Sequence, residues 1–523
     1  MSERLNALVA VIKKPHGFSA AIGEEVIEVS APVSTAAVLY EKIRNTLEYQ
    51  EEHLLRRNAI ARFLQRHMGE GKQLSTFASD LLRELVWAKY LPNKAVPTHL
   101  AETLAAVIAK YEVLLAAAKK HKTEREVMTA WVLDAMATEV EYTVAPPHHD
   151  EALVSYMYQE MRERVDWDAS FDATEEERDL RLFIAIHRAL LKSNNATLRY
   201  RVLTLYYPAW SGPSTEALAY EIAGNLAVIT HKVDSEISHL VVERLTRLLR
   251  RRAGVFRVLR DVIEHDAHHF HALTDDPDAL DREVGHALHE RTKVFRTRLR
   301  RTVVRAIFFL FITKMLLALV LEVPYDYFIA KDTPRYPLLI NIFFPPFFLA
   351  LLSLTVSIPE KRNEDDYRAA IRALLVGADH TILNFRFKRE THSAWYTLFN
   401  VVYAATFLFV FGLIGALLHR IGFHALSITL FIFFLSLVTF FGIRIRNSTK
   451  DIVASEARSG IIGTAFDVFM LPIVRAGSWL SVKVAKINIF IFFFDFMIEA
   501  PFKVAIRFVE SWLAFVREKK EEI

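Results

Sequence analysis

The 523-residue chain contains no cysteine. That excludes disulfides, thiolate zinc sites, iron–sulfur clusters, thiol nucleophiles, palmitoylation and prenylation. Glycine and proline are scarce, at 16 and 17 residues, which excludes fibrous and low-complexity classes. Charge of one sign is also lacking: 65 Lys and Arg against 61 Asp and Glu leave a formal net charge of +4. The balance points to neither a strongly acidic nor a strongly basic partner. There is no glycine-rich phosphate loop, nucleophile elbow or metalloprotease helix. No motif therefore calls for a cofactor, and the reading leans away from an enzyme without deciding the point. Position 2 is Ser2, where myristoylation needs glycine. Residues 5–12 are mostly apolar and are followed by Lys13 and Lys14, which reads as a short amphipathic segment and not a signal peptide.

Phenylalanine is abundant, and its placement is informative. Residues 1–300 hold eight of the 38 Phe, and residues 301–523 hold 30. Beyond residue 300 lie four apolar segments, 303–323, 337–358, 395–418 and 426–443. Each approaches or exceeds the ~20 residues that a helix needs to cross a bilayer. Their apolar runs are continuous, which predicts helices and not barrel strands. Lys and Arg number seven in residues 291–305, two in 324–336, seven in 359–394, one in 419–425 and four in 444–460. This alternation predicts a cytoplasmic (inner) membrane protein with both termini on the cytoplasmic side. Tyr325, Tyr327 and Tyr336 are expected at the outer interface, and Trp395 and Tyr396 at an inner one.

The remaining segments complete an all-α expectation: an N-terminal soluble helical domain, a four-helix transmembrane bundle and interfacial amphipathic helices. Two cytosolic helical subdomains, 1–145 and 146–300, meet at Pro146-Pro147. The transmembrane region runs from 301 to 445, and a membrane-surface tail from 446 to 523. In that tail Phe466, Met470, Ile473, Val474 and Leu480 share a face, while Lys483, Asp495 and Glu499 argue against a fifth span. Within the soluble part, Thr174 and Glu177 form a capping box, and residues 24–30 have a strand-like pattern. Leu218, Ile222, Leu226, Ile229, Val233, Ile237, Leu240 and Leu248 predict one long helix with an eleven-residue period.

Four groups of residues carry chemistry. Six of the 20 His fall in 265–289, and His265, His268, His269, His286 and His289 are candidate metal ligands. His265 and His269 lie at i, i+4, and His286 and His289 at i, i+3, spacings that suit two imidazoles on one helix face. Glu283-x-x-His286 and Glu236-x-x-His239 match the carboxylate–imidazole spacing of di-iron bundles. A plain polar surface, or one that gains charge below about pH 6.5, is the competing reading. Arg250, Arg251 and Arg252, together with Arg298, Arg300 and Arg301, are candidates for contact with anionic headgroups. A solvated or ion-paired helix face competes with that, and nucleic acid ranks last because no Tyr or Trp is interleaved with the run. Lys314 lies midway along the first span, where a lone cation costs about 2.5–3.5 kcal/mol. With Asn341 and Asn400 it makes up the intramembrane polar set, and Glu322 and, from the tail, Asp495 or Glu499 are further candidate partners. Finally, Pro345-Pro346 should break or kink the second span.

These features predict a membrane-anchored scaffold or adaptor, in contact with the lipid bilayer, that binds a cytosolic protein partner. Homo-oligomerisation stays open. A transporter or channel component using Lys314 is the alternative, and a metal-dependent membrane-anchored enzyme the second alternative.

Overall fold

A computed structural model of the protein describes residues 2–14, 24–29, 52–68, 73–121, 123–168, 171–331, 335–354, 356, 360–376, 382–386, 394–449, 452–453, 470–481 and 512. These residues are overwhelmingly helical, with one two-stranded sheet, so the fold is all-α. They divide into two compact units. One is built mainly from residues 3–165 and 172–249, the other from 166–171 and 250–488.

The first unit is organised around the helix Arg125–Val144. That helix packs against Glu52–His67, Leu100–Lys120 and Asn195–Tyr206. A helix with neighbours on three sides must be apolar on nearly every face. Trp131, Val132, Ala135, Met136, Ala137 and Val140 are accordingly inaccessible to solvent. Helix starts follow local chemistry. Thr174 accepts a hydrogen bond from the Glu177 amide at 3.2 Å and opens Glu175–Leu190. Asn194 accepts one from the Thr197 amide at 2.9 Å and opens Asn195–Tyr206. The strand-like segment is extended, with Val26 bridging Pro97 and the Ile27 amide donating to Val96 O at 2.9 Å.

The single long helix expected after Ser214 is instead three, Glu216–Gly224, Leu226–Ile237 and Leu240–His265. Gly224-Asn225 makes the first break, since both residues are poor helix formers. At the second, the Ser238 hydroxyl donates to Asp234 O at 2.7 Å, and His239 Nδ1 accepts from the Val241 amide. Side chains that offer such local bonds compete with the helical ladder. Ile222, Leu226, Ile229, Val233 and Ile237 are still buried, but around the core of one unit and not along one straight seam.

The second unit contains four helices long and apolar enough to cross a membrane, within Pro277–Ala330, Tyr336–Leu354, Asn400–Arg420 and Ala425–Asn447. These coincide with the four segments read from hydropathy. The first is the end of a rod. Pro277–Leu317 is one 41-residue helix, about 60 Å long, and its first half precedes the apolar part. It passes into π-helical turns at Ala318–Glu322 and Asp326–Ala330 and stops at Lys331, which is left-handed at φ 56°. The helix Arg335–Leu354 continues through Pro345 and Pro346 without a break. Neighbouring helices sustain such a segment in a bundle; here Phe344 and Phe348 flank the prolines and pack on the cluster around Phe431 and Leu435.

The outward faces of these four apolar helices are apolar. Phe308, Phe309, Phe328, Phe347 and Leu408 are all exposed, as expected of residues that lipid covers. Residues 470–481 form a further helix. Its Ile473 is buried in the cluster of Val410, Phe423 and Phe431. A Cβ on Gly477 would collide with Ser436 O and lie 2.7 Å from Phe440 Cβ. That part of the tail therefore lies along the middle of the fourth span, whereas its sequence pointed to a helix at the surface. Phe466, Lys483, Asp495 and Glu499 lie outside the described residues.

Candidate functional site

Lys314, Glu322 and Asn341 gather where three of the four candidate spans meet. Lys314 and Glu322 are both fully buried and lie 2.8 Å apart, Nζ donating to Oε1. Asn341 of the second span donates to the other Glu322 oxygen at 2.7 Å and to Ser427 O of the fourth span at 3.4 Å. The Lys314 ammonium lies 4.7 Å from the centre of the Phe434 ring, close enough for a cation–π contact. Eight residues on an α-helix leave two side chains about 80° apart. The under-wound turn starting at Ala318 reduces that offset and aims Glu322 back at Lys314. Asn400 is exposed and takes no part in this cluster.

The histidine segment forms a helical hairpin. His265 ends Leu240–His265, while Glu283 and His286 lie near the start of Pro277–Leu317. His265 Nδ1 lies 2.8 Å from Glu283 Oε1, and His286 Nδ1 lies 4.0 Å from the same oxygen. The two rings are 5.6 Å apart. His269 pairs with Asp266 at 3.0 Å, and His268 and His289 are exposed. The second carboxylate–imidazole spacing serves structure. Glu236 accepts from Lys232 and Arg181, both at 2.9 Å, while His239 caps a helix. Burial alone would raise the Glu236 carboxyl, but those two cations hold it below its ordinary value.

The basic residues fall into two sets. Arg250, Arg251 and Arg252 are half-buried, and Arg298, Arg300 and Arg301 are exposed just before the first span.

The first unit holds a buried polar network that no sequence motif marks. Lys110 and Glu139 are almost wholly buried and 2.6 Å apart. Lys110 also donates to Trp210 O and, at 2.7 Å, to Gly212 O. Glu139 accepts from Tyr111 Oη at 2.7 Å and from the Gly212 amide at 2.8 Å. Burial lowers Lys110 and raises Glu139. A second network joins four elements: Arg57 binds Asp134, Arg199 binds both Asp134 and Asp234, and the Trp131 indole donates to Asp234. Nearby, burial pushes Glu141 up to about 7 against the opposing pull of Arg56. Burial, with some help from Arg201, pushes His187 down to about 3. The signal for these groups was present in the sequence, as charges lying on apolar stripes. Lys110 sits between Val107 and Leu114 on the buried face of Leu100–Lys120.

No protein-family model, curated protein or solved structure matches this chain.

Proposed function

We propose that the chain is a multi-pass membrane protein whose helical unit, built mainly from residues 3–165 and 172–249, holds a protein partner at the cytoplasmic surface. One observation carries this reading. The unit is tied across its helices by buried ion networks, yet Tyr220 and Val228, on successive helices, are 60% and 70% exposed. A rigid frame with bare aromatic and aliphatic side chains suits a binding surface. The alternation of Lys and Arg around the spans supports the cytoplasmic placement. Arg298, Arg300 and Arg301 would contact anionic headgroups beside the first span, at about 1 kcal/mol each. Changing all three to Ser should strip anionic lipid from the purified protein, and an unchanged lipid content would remove that contact.

The test of the main reading is photocrosslinking in cells from positions 220 and 228 of the full chain. A reproducible cytosolic protein adduct is expected from both positions, and the adduct from position 220 should be lost on Val228→Asp with helix content unchanged. Adducts to lipid and to the chain itself alone would overturn it.

A second reading, a transporter or channel component, rests on the Lys314–Glu322–Asn341 cluster. Ionisable groups inside a bundle mark ion or proton paths by default, and Lys314 has the carboxylate that such a path needs. The native chain has no cysteine, so a single Asn341→Cys reports alone. Reaction with a water-soluble thiol reagent would favour a hydrated path; complete protection would sink it.

A further inference from the structure

The hairpin leading into the first span carries three metal-competent groups whose ligand atoms lie within 4.8 Å of one another: His265, Glu283 and His286. Their backbones are held from several sides. Asp261 and Arg291 form a two-bond clamp between the same two helices, at 2.7 and 2.8 Å. Val262, Ile263, Val284 and Leu288 are buried close by. On the flank, a Cβ on Gly285 would lie 2.6 Å from Glu364 Oε1, and Asp281 pairs with Arg372. The frame is fixed, while the side chains of His265 and His286 are 60% and 59% exposed and reachable from solvent.

We infer that His265, Glu283 and His286 bind one divalent transition-metal ion, with Zn²⁺ the best match. Two imidazoles and a carboxylate are the donors that this ion accepts, and a cysteine-free chain offers nothing to ions that demand thiolate. The spacing fits. Metal–ligand bonds of about 2.0–2.1 Å in a tetrahedron set ligand atoms roughly 3.4 Å apart. The two contacts to Glu283, 2.8 and 4.0 Å, straddle that value, and small side-chain rotations equalise them. Without metal the three side chains hold one another only weakly at the solvent surface. With metal, it pins the end of one helix to the rod that enters the membrane. Three protein ligands leave a fourth position for water or an exogenous donor.

The full chain in detergent, stripped with a chelator, is titrated with Co²⁺ and then Zn²⁺. One Co²⁺ per chain with visible ligand-field absorption is expected, displaced by one Zn²⁺. His265→Ala, Glu283→Gln and His286→Ala should each weaken binding about tenfold or more, while His269→Ala and His289→Ala leave it unchanged. No saturable binding, or binding indifferent to the three ligand variants, overturns the site. A check independent of variant folding uses the native chain. Zn²⁺ should protect His265 and His286, and not His289, from diethyl pyrocarbonate, read by mass spectrometry. Equal modification with and without metal would also overturn it.

Discussion

Each of the two units buries a lysine–glutamate pair, and the pairs are built differently. In the helical unit, all three Lys110 protons have acceptors, on Glu139, Trp210 and Gly212, and its ammonium lies 4.3 Å from the Trp210 ring centre. In the bundle, Lys314 makes one hydrogen bond among the described residues, to Glu322, beside one ring contact. The reference states explain the difference. Where unfolding exposes a buried pair to water, the pair must be fully satisfied merely to offset desolvation. Inside a bilayer the alternative is also of low dielectric, and fewer partners keep a pair in place.

The largest expected effect comes from breaking the satisfied pair. Glu139→Leu leaves Lys110 buried and unpaired and should lower stability by about 3–5 kcal/mol. The double variant with Lys110→Met should recover most of it. Denaturant unfolding followed by tryptophan fluorescence checks this, and a single-variant loss under about 1 kcal/mol would refute it. Glu322→Leu should cost about 2.5–3.5 kcal/mol, the figure for a lone cation at mid-membrane, with recovery on adding Lys314→Leu. If the bundle pair proved the costlier to break in detergent unfolding, the contrast between the units would fail.

The smallest effect is one of pH, and two groups of the helical unit oppose one another. Glu141 titrates at about 7 when folded against an ordinary 4.5. Its contribution is complete below 4.5 and is lost as pH rises toward 7. His187 titrates at about 3 against 6.5. Its contribution is complete above 6.5 and is lost as pH falls toward 3. Between about pH 5 and 6.5 each slope amounts to about 2 kcal/mol, and they nearly cancel. Glu141→Gln should therefore unmask stability that rises with pH, and His187→Leu stability that falls with it. Flat profiles in both variants would show that neither group is desolvated.

Much of the architecture was legible in the sequence. Four spans followed from segment length and hydropathy, and the start of Glu175–Leu190 from Thr174 and Glu177. Lys314 stood out because a cation among Ile312, Met315 and Leu316 is costly wherever the helix lies. Its partner was harder to find: Glu322 was one candidate among several, and the deciding feature was a π turn that hydropathy does not register. The segment after Ser214 is three helices and not one, because apolar periodicity records which face is buried and not whether the ladder is continuous. Ser238 and His239 interrupt it with bonds of their own.

Contiguous stretches of sequence determined the all-α class, the four spans and many helix starts, because hydrophobic length, periodicity and capping act over a few turns of chain. Tertiary structure alone decided which polar groups meet. Lys110 and Glu139 are 29 residues apart and Lys110 and Gly212 are 102 apart; such contacts form only when helices close on one another. The same closure set His265 beside Glu283 and His286 and left His268 and His289 in solvent, because an antiparallel hairpin brings together the residues at matching heights and no others.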